Sequence, residues 1–237
     1  MAVQDVDFDI ETDSIHALIG PNGAGKTTCF NLLTKFLQPS SGVIRFEGQD
    51  ITKLPPADIA RRGMVRSFQI SAVFGHMTAL ENVRIALARQ RGGNFDFWRR
   101  EKMLDRYNDQ AQALLAEVGL DDHAAMTAAS LSYGRKRALE IATTLALEPR
   151  LMLLDEPTAG MTEADVERIV ALIRKIRKGR TILMVEHNLS VVSGLSDRIT
   201  VLARGRVLAA GDYATVSRDP AVIEAYLGSD HAGVDHV

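Results

Sequence analysis

"SIHALIGPNGAGKTT", residues 14–28, decides the fold. Its first half reads as a strand, with Ile15, Ala17 and Ile19 on one side. Gly20 to Thr27 then fit the pattern G-x-x-x-x-G-K-[ST]. Chance alone would produce such a match in about one chain per hundred of this size. The flanks argue against chance. A strand precedes the turn, and a helix is expected from Lys26 to Leu37, with Phe30, Leu33 and Leu37 as its apolar stripe. In a strand–turn–helix unit of this kind, successive backbone N–H groups converge on an anion and the helix N-terminus adds a favourable dipole. Gly20, Pro21, Asn22, Gly23, Ala24, Gly25, Lys26, Thr27 and Thr28 are therefore candidate residues for binding a nucleotide phosphate chain. Lys26 would reach the β and γ phosphates and Thr27 would hold Mg²⁺. The bland alternative is a glycine-rich turn with a surface lysine.

Further motifs lie downstream. "LMLLDE", residues 151–156, is a continuous apolar run suited to a strand buried on both faces, and it delivers Asp155 and Glu156 to the strand's C-terminal end. Ligands of open α/β sheets bind at that edge. Asp155 suits a Mg²⁺ shell and Glu156 a general base, against the alternative of two solvated acids opening a loop. "TILMVEHN" repeats the arrangement with His187, a candidate γ-phosphate contact, although a lone histidine after a strand is more often structural. Gln69 ends the strand "GMVRSFQ" and gains meaning only beside the other motifs. "SLSYGRKRALEI", residues 130–141, opens a helix with Ser132 as N-cap candidate and Arg135, Lys136 and Arg137 in the first turn. Cations there oppose the helix dipole at a cost of roughly 0.3–1 kcal/mol each, which invites an anion.

The 237 residues carry a net charge of −2, and 46% are apolar and 24% charged, as in an ordinary globular domain. That balance, with only 5% aromatic residues, argues against a nucleic-acid partner. The apolar runs are too short to span a bilayer, the start lacks a signal-peptide pattern, and Cys29 alone can form no internal disulfide, so a cytoplasmic chain is expected. Residues 1–74 and 148–227 read as two parts of an α/β nucleotide-binding core, 75–147 as an inserted helical subdomain, and 228–237 as a loose tail. Within the second part, "TEADVERIVALIRKIRKG" is a helix with a Thr162–Asp165 capping pattern, and "RITVLARGRVLAAG" a hairpin turning at Arg204-Gly205.

Taken in order, the phosphate loop, the helix start "LSYG", the "DE" strand end and the strand-end histidine resemble the ATP-binding subunit of ABC transporters. The resemblance covers nearly the whole chain. "MTALENV", "LSYGRKRALEIATTLA", "DEPTAGM", "MVEHN" and "VIEAYLG" are similar to ATPases of branched-chain amino acid importers, whose relatives include the lipopolysaccharide-export ATPase. It implies a P-loop NTPase core with a mostly parallel sheet, flanking helices and the helical insert. It also implies ATP and Mg²⁺ as cofactors, with Glu156 as base, His187 as γ-phosphate switch and Gln69 as a sensor linked to Mg²⁺ beside Thr27 and Asp155. Ser132 and the Gly134 backbone would face ATP held by a second ATP-binding subunit, paired head to tail. The implied partners are permease subunits, on which the chain would sit at the inner face of the membrane, and indirectly a periplasmic solute-binding protein. Phe74 and Met77 are the expected permease contacts. A nucleotide-binding regulator with little turnover is the competing class.

Three departures from the family pattern stand out. Tyr133 and Arg135 replace residues of the common LSGGQ signature, and Thr162 stands where the loop after "DEP" usually ends in Asp. "MAVQDVDFDI" reads as the family's second strand, so the N-terminal strand and its adenine-stacking aromatic are expected to be missing. Cys29 reads as a small buried helix residue. Phe95, Phe97 and Trp98 read as core of the helical insert or, alternatively, as a docking patch.

Overall fold

A computed structural model describes residues 3–67, 73–90 and 104–231. Strand β1 (Ile15–Ile19) is buried along its whole length, because it lies in the middle of a six-stranded sheet. With β4 (Met64–Ser67), β5 (Leu151–Asp155), β6 (Thr181–Val185), β7 (Arg198–Ala203) and β8 (Arg206–Gly211), the order is β4-β5-β6-β1-β7-β8. All pairings are parallel except the β7–β8 hairpin, which turns at Arg204 and Gly205. The short strands β2 (Arg45–Phe46) and β3 (Gln49–Asp50) form a separate antiparallel pair. Parallel strands covered on both faces must be apolar throughout, which accounts for "LMLL" and "ILMV".

Helix α1 (Lys26–Leu33) follows β1, and α2 (Pro56–Arg61) leads into β4. Helices α3 (Ala79–Gln90), α4 (Asn108–Glu117) and α5 (Tyr133–Leu145) pack on one another between β4 and β5. Helix α6 (Glu163–Ile176) precedes β6, α7 (Leu189–Leu195) precedes β7, and α8 (Tyr213–Val216) and α9 (Pro220–His231) follow β8. The Thr162 side chain caps α6 through the Asp165 N–H, as the sequence pattern predicts. Ile169, Ile173 and Ile176 are essentially buried on that helix, each contributing roughly 1.5–3 kcal/mol.

Some expectations change. Helix α1 stops at Leu33 rather than Leu37. Thr34 turns its hydroxyl back onto the Phe30 carbonyl at 2.7 Å, Lys35 enters the left-handed region at φ 64, and Leu37 is exposed. Residues 3–10 form no strand: Asp5, at φ 50, breaks the extended path, and Val3, Val6 and Ile10 pack as a coil against the cluster around Leu18 and Phe30. Helix α9 runs through His231, into the segment expected to be loose. Gln69, Phe95, Phe97 and Trp98 lie outside the described residues. Cys29 is a buried α1 residue, and burial pushes its thiol up to about 11.

Candidate active site

Because β1, β5 and β6 are parallel, the phosphate loop, the Asp155-Glu156 pair and the Glu186-His187 pair leave the sheet at one edge. The loop is locked from behind. A side chain at Gly20 would meet the Leu202 carbonyl oxygen at 2.1 Å, so only glycine fits. The Ala24 carbonyl accepts from Gly205 N–H at 3.0 Å, which ties the loop to the hairpin turn. Asn22, Gly23 and Thr27 are exposed on the open side. The buried Lys26 ammonium donates to the Gly20 and Pro21 carbonyls at 2.7 and 3.0 Å. Its hydrogen bonds go to carbonyls rather than to a carboxylate, so its charge is available to an incoming anion. Burial lowers the Lys26 pKa, and Glu156 and Asp155 nearby pull it back up. A rear-anchored glycine loop, a cation and a helix N-terminus suit a polyphosphate chain.

Asp155 is buried, and its Oδ2 accepts from Arg66 Nη2 of β4 at 2.5 Å. Glu156 follows with φ 45, a left-handed conformation that is unusual for a non-glycine residue. His187 Nε2 lies 2.8 Å from Glu156 Oε1. A carboxylate only accepts, so the imidazole presents Nε2–H to it. Among the described residues no cluster of three or more His, Cys, Asp or Glu could hold a metal. A cation here would need phosphate oxygens to complete its shell around Asp155 and Thr27, which is the way Mg²⁺ is usually bound.

The LSYG helix start departs from expectation in one respect. Ser132 occupies the N-cap position of α5, but its side chain makes no capping hydrogen bond and is exposed. Gly134 is buried, and a Cβ there would lie 2.6 Å from Asp165 Oδ1. The Asp165 carboxylate of α6 thus sits against the cationic start of α5.

Arg135 is exposed and Lys136 half-buried, whereas Arg137 is buried. Its Nη1 donates to Glu140 Oε2 at 2.8 Å and its Nη2 to the Asp155 carbonyl at 2.7 Å. It therefore braces the residue before Glu156 and is not turned towards an external anion. Thr162, at the usual Asp position, is occupied with capping α6.

Two further residues escaped sequence reasoning. Arg66 is one. Glu186 is the other: buried, it accepts from Thr158 N–H and Oγ1 at 3.0 and 2.6 Å, and from His187 and Asn188 N–H at 3.0 and 3.2 Å. It joins the loop after Glu156 to the turn carrying His187. An acidic residue directly after the buried run "TILMV" was the available signal, since a buried charge must find partners.

This fold and site define an ATP-binding cassette. The sequence model of the ABC transporter family matches residues 3–159, and the chain belongs to that family. It is an ATP-binding, ATP-hydrolysing subunit of an ABC transporter. A second family, the branched-chain amino acid ATP-binding cassette transporter, matches residues 206–232. The chain is 41% identical to the high-affinity branched-chain amino acid transport ATP-binding protein BraF of Pseudomonas aeruginosa, over 96% of this chain and 92% of that one. It is 40% identical to LivG of Escherichia coli K12, with the same coverage. It is also 37% identical to the lipopolysaccharide export ATP-binding protein LptB of Acidithiobacillus ferridurans, over 96% and 91%. The ADP conformation of the cassette MJ1267 superposes with a TM-score of 0.82 at 29% identity, covering 96% of this chain and 92% of that one.

Proposed function

We propose that the chain powers import of branched-chain amino acids or a related small solute through separate permease subunits. In this reading it works as one of two ATP-binding subunits paired head to tail, at the inner face of the membrane. The observation that carries the substrate class is the match of residues 206–232, beyond the general ABC motifs, to the branched-chain family. Among the described residues no helix is long and apolar enough to cross a membrane, so spanning would fall to partners. Exposed Phe74 and half-buried Met77 offer an apolar contact for a permease. The likeness to LptB supports lipopolysaccharide export as the second reading.

ATP is the substrate. Backbone N–H groups of residues 20–27 and the Lys26 ammonium would hold its phosphates, with Lys26 exchanging its two carbonyl partners for phosphate oxygens. Thr27 and Asp155, and Gln69 from outside the described residues, would hold Mg²⁺, which supplies charge neutralisation. Glu156 takes a proton from the water that attacks the γ-phosphorus, and ADP and phosphate leave. His187 holds the Glu156 carboxylate through its 2.8 Å hydrogen bond and would contact the γ-phosphate. Ser132 and Gly134 would meet the γ-phosphate held by the second subunit.

The test combines one variant and one reconstitution. Glu156→Gln should preserve ATP-bound dimerisation, seen by light scattering, while turnover falls roughly 100-fold or more. Unchanged turnover removes Glu156 from the role of base. Vesicles carrying the chain with its permeases should accumulate labelled leucine when ATP is supplied. Lipopolysaccharide extraction without leucine uptake would favour the second reading.

A further inference from the structure

We propose that Arg66 is a positioning residue for the metal-binding half of the site. It would set the spacing between Asp155 and the helix that carries Thr27. The inference rests on the ATP and Mg²⁺ reading above. Arg66 lies on β4, opposite Leu153 of β5 and thus two residues short of Asp155 along the ladder. One arm of its guanidinium, Nη2, donates to Asp155 Oδ2 at 2.5 Å. The other, Nη1, donates to Asn31 Oδ1 on α1 at 2.7 Å. The guanidinium carbon stands 5.6 Å from the centroid of Phe30, also on α1. The Arg66 side chain is 11% exposed and that of Asp155 6%, so the contact is shielded from competing water.

Asn31 follows Thr27 by four residues, which places both on one face of α1. A planar fork therefore grips the Thr27 face of α1 with one arm and the Asp155 carboxylate with the other. The Asp155 oxygen that it engages is Oδ2, which leaves Oδ1 for a cation shell. Groups that orient a metal ligand from behind in this way commonly control the affinity of the site. The geometry needs arginine in particular. A lysine ammonium is a point charge without the fixed two-armed fork, and would hold Asp155 or Asn31 but not both in place.

The test measures ATP binding to the full chain by calorimetry, once with excess Mg²⁺ and once with EDTA. The readout is the ratio of the two affinities. Arg66→Lys keeps a buried positive charge beside Asp155, and Asn31→Ala leaves the Arg66–Asp155 pair intact while removing the grip on α1. Arg66→Lys should lower the Mg²⁺ enhancement roughly 10-fold, with affinity in EDTA unchanged because the phosphate loop is untouched. Asn31→Ala should lower the enhancement in the same direction. An enhancement equal to that of the parent chain in Arg66→Lys overturns the assignment. So does an equal loss in Mg²⁺ and EDTA, which is the signature of a general loosening. A parent chain that binds no ATP, or binds it without regard to Mg²⁺, overturns instead the reading on which the proposal rests.

Discussion

Arg137→Met tests how the LSYG helix is joined to the catalytic edge. Methionine keeps much of the apolar stem and removes the guanidinium. In the native chain that group bonds Glu140 and the Asp155 carbonyl, with the two charged side chains only 7% and 10% exposed. Its loss leaves the Glu140 carboxylate buried without its cation. Breaking a buried pair from one side costs roughly 3–5 kcal/mol, and the lost bond to the carbonyl overlaps with that figure rather than adding to it. For a chain of this size each kcal/mol lowers Tm by about 2–4 °C, so a fall of roughly 6–20 °C is expected.

The sign of the pH dependence gives a second check. Burial already raises the Glu140 pKa above its usual value, with Arg137 opposing. A carboxylate raised in the folded state is destabilising once pH exceeds its unfolded pKa, and increasingly so up to its folded pKa. Removing Arg137 raises it further, so the deficit should be largest near neutrality and should shrink as pH falls towards about 5. Urea unfolding at both pH values measures this. Arg137→Met/Glu140→Leu should recover most of the stability, because well-packed apolar replacements of a buried pair are often neutral. Turnover should stay low in both variants, since neither restores the grip on the Asp155 carbonyl that precedes Glu156. A deficit below about 1 kcal/mol, the range of an exposed pair, or one independent of pH, refutes the reasoning.

Ser132→Ala should leave the urea midpoint nearly unchanged, because no capping bond is lost, while ATP hydrolysis by the assembled subunits falls at least roughly tenfold; equal losses of stability and activity would return Ser132 to a purely structural role. His16, bonded to Thr200 at 2.8 Å and 1% exposed, has its pKa lowered from 6.5 to about 4, chiefly by burial. Its depressed value means that the unfolded chain takes up the proton first. Stability should therefore fall by up to about 3 kcal/mol as pH drops through that window, and His16→Gln should flatten this limb in urea titrations; an unchanged slope would count against a neutral buried imidazole.

What was legible in the sequence is what depends on neighbours along the chain. The phosphate loop needs its glycines, Lys26 and Thr27 at fixed spacing, and buried parallel strands announce themselves as apolar runs that lead to Asp155 and Glu156 or to His187. Arg66 was not legible, because its partner Asp155 is 89 positions away and only the β4–β5 register brings them together. The same holds for Glu186 and Thr158, 28 positions apart. The cations of "GRKR" show why local reasoning stops there. Consecutive helix residues point in different directions, so Arg135 faces solvent, Lys136 lies half-buried and Arg137 turns inward to Glu140. An anion does stand at that helix start, but it belongs to this chain: the Asp165 carboxylate, packed so closely on Gly134 that a Cβ there would have to displace it. The cationic turn alone is therefore no argument for a phosphate. Such an argument has to rest on Ser132, which sits at the cap position with its hydroxyl exposed and no capping bond to keep it there.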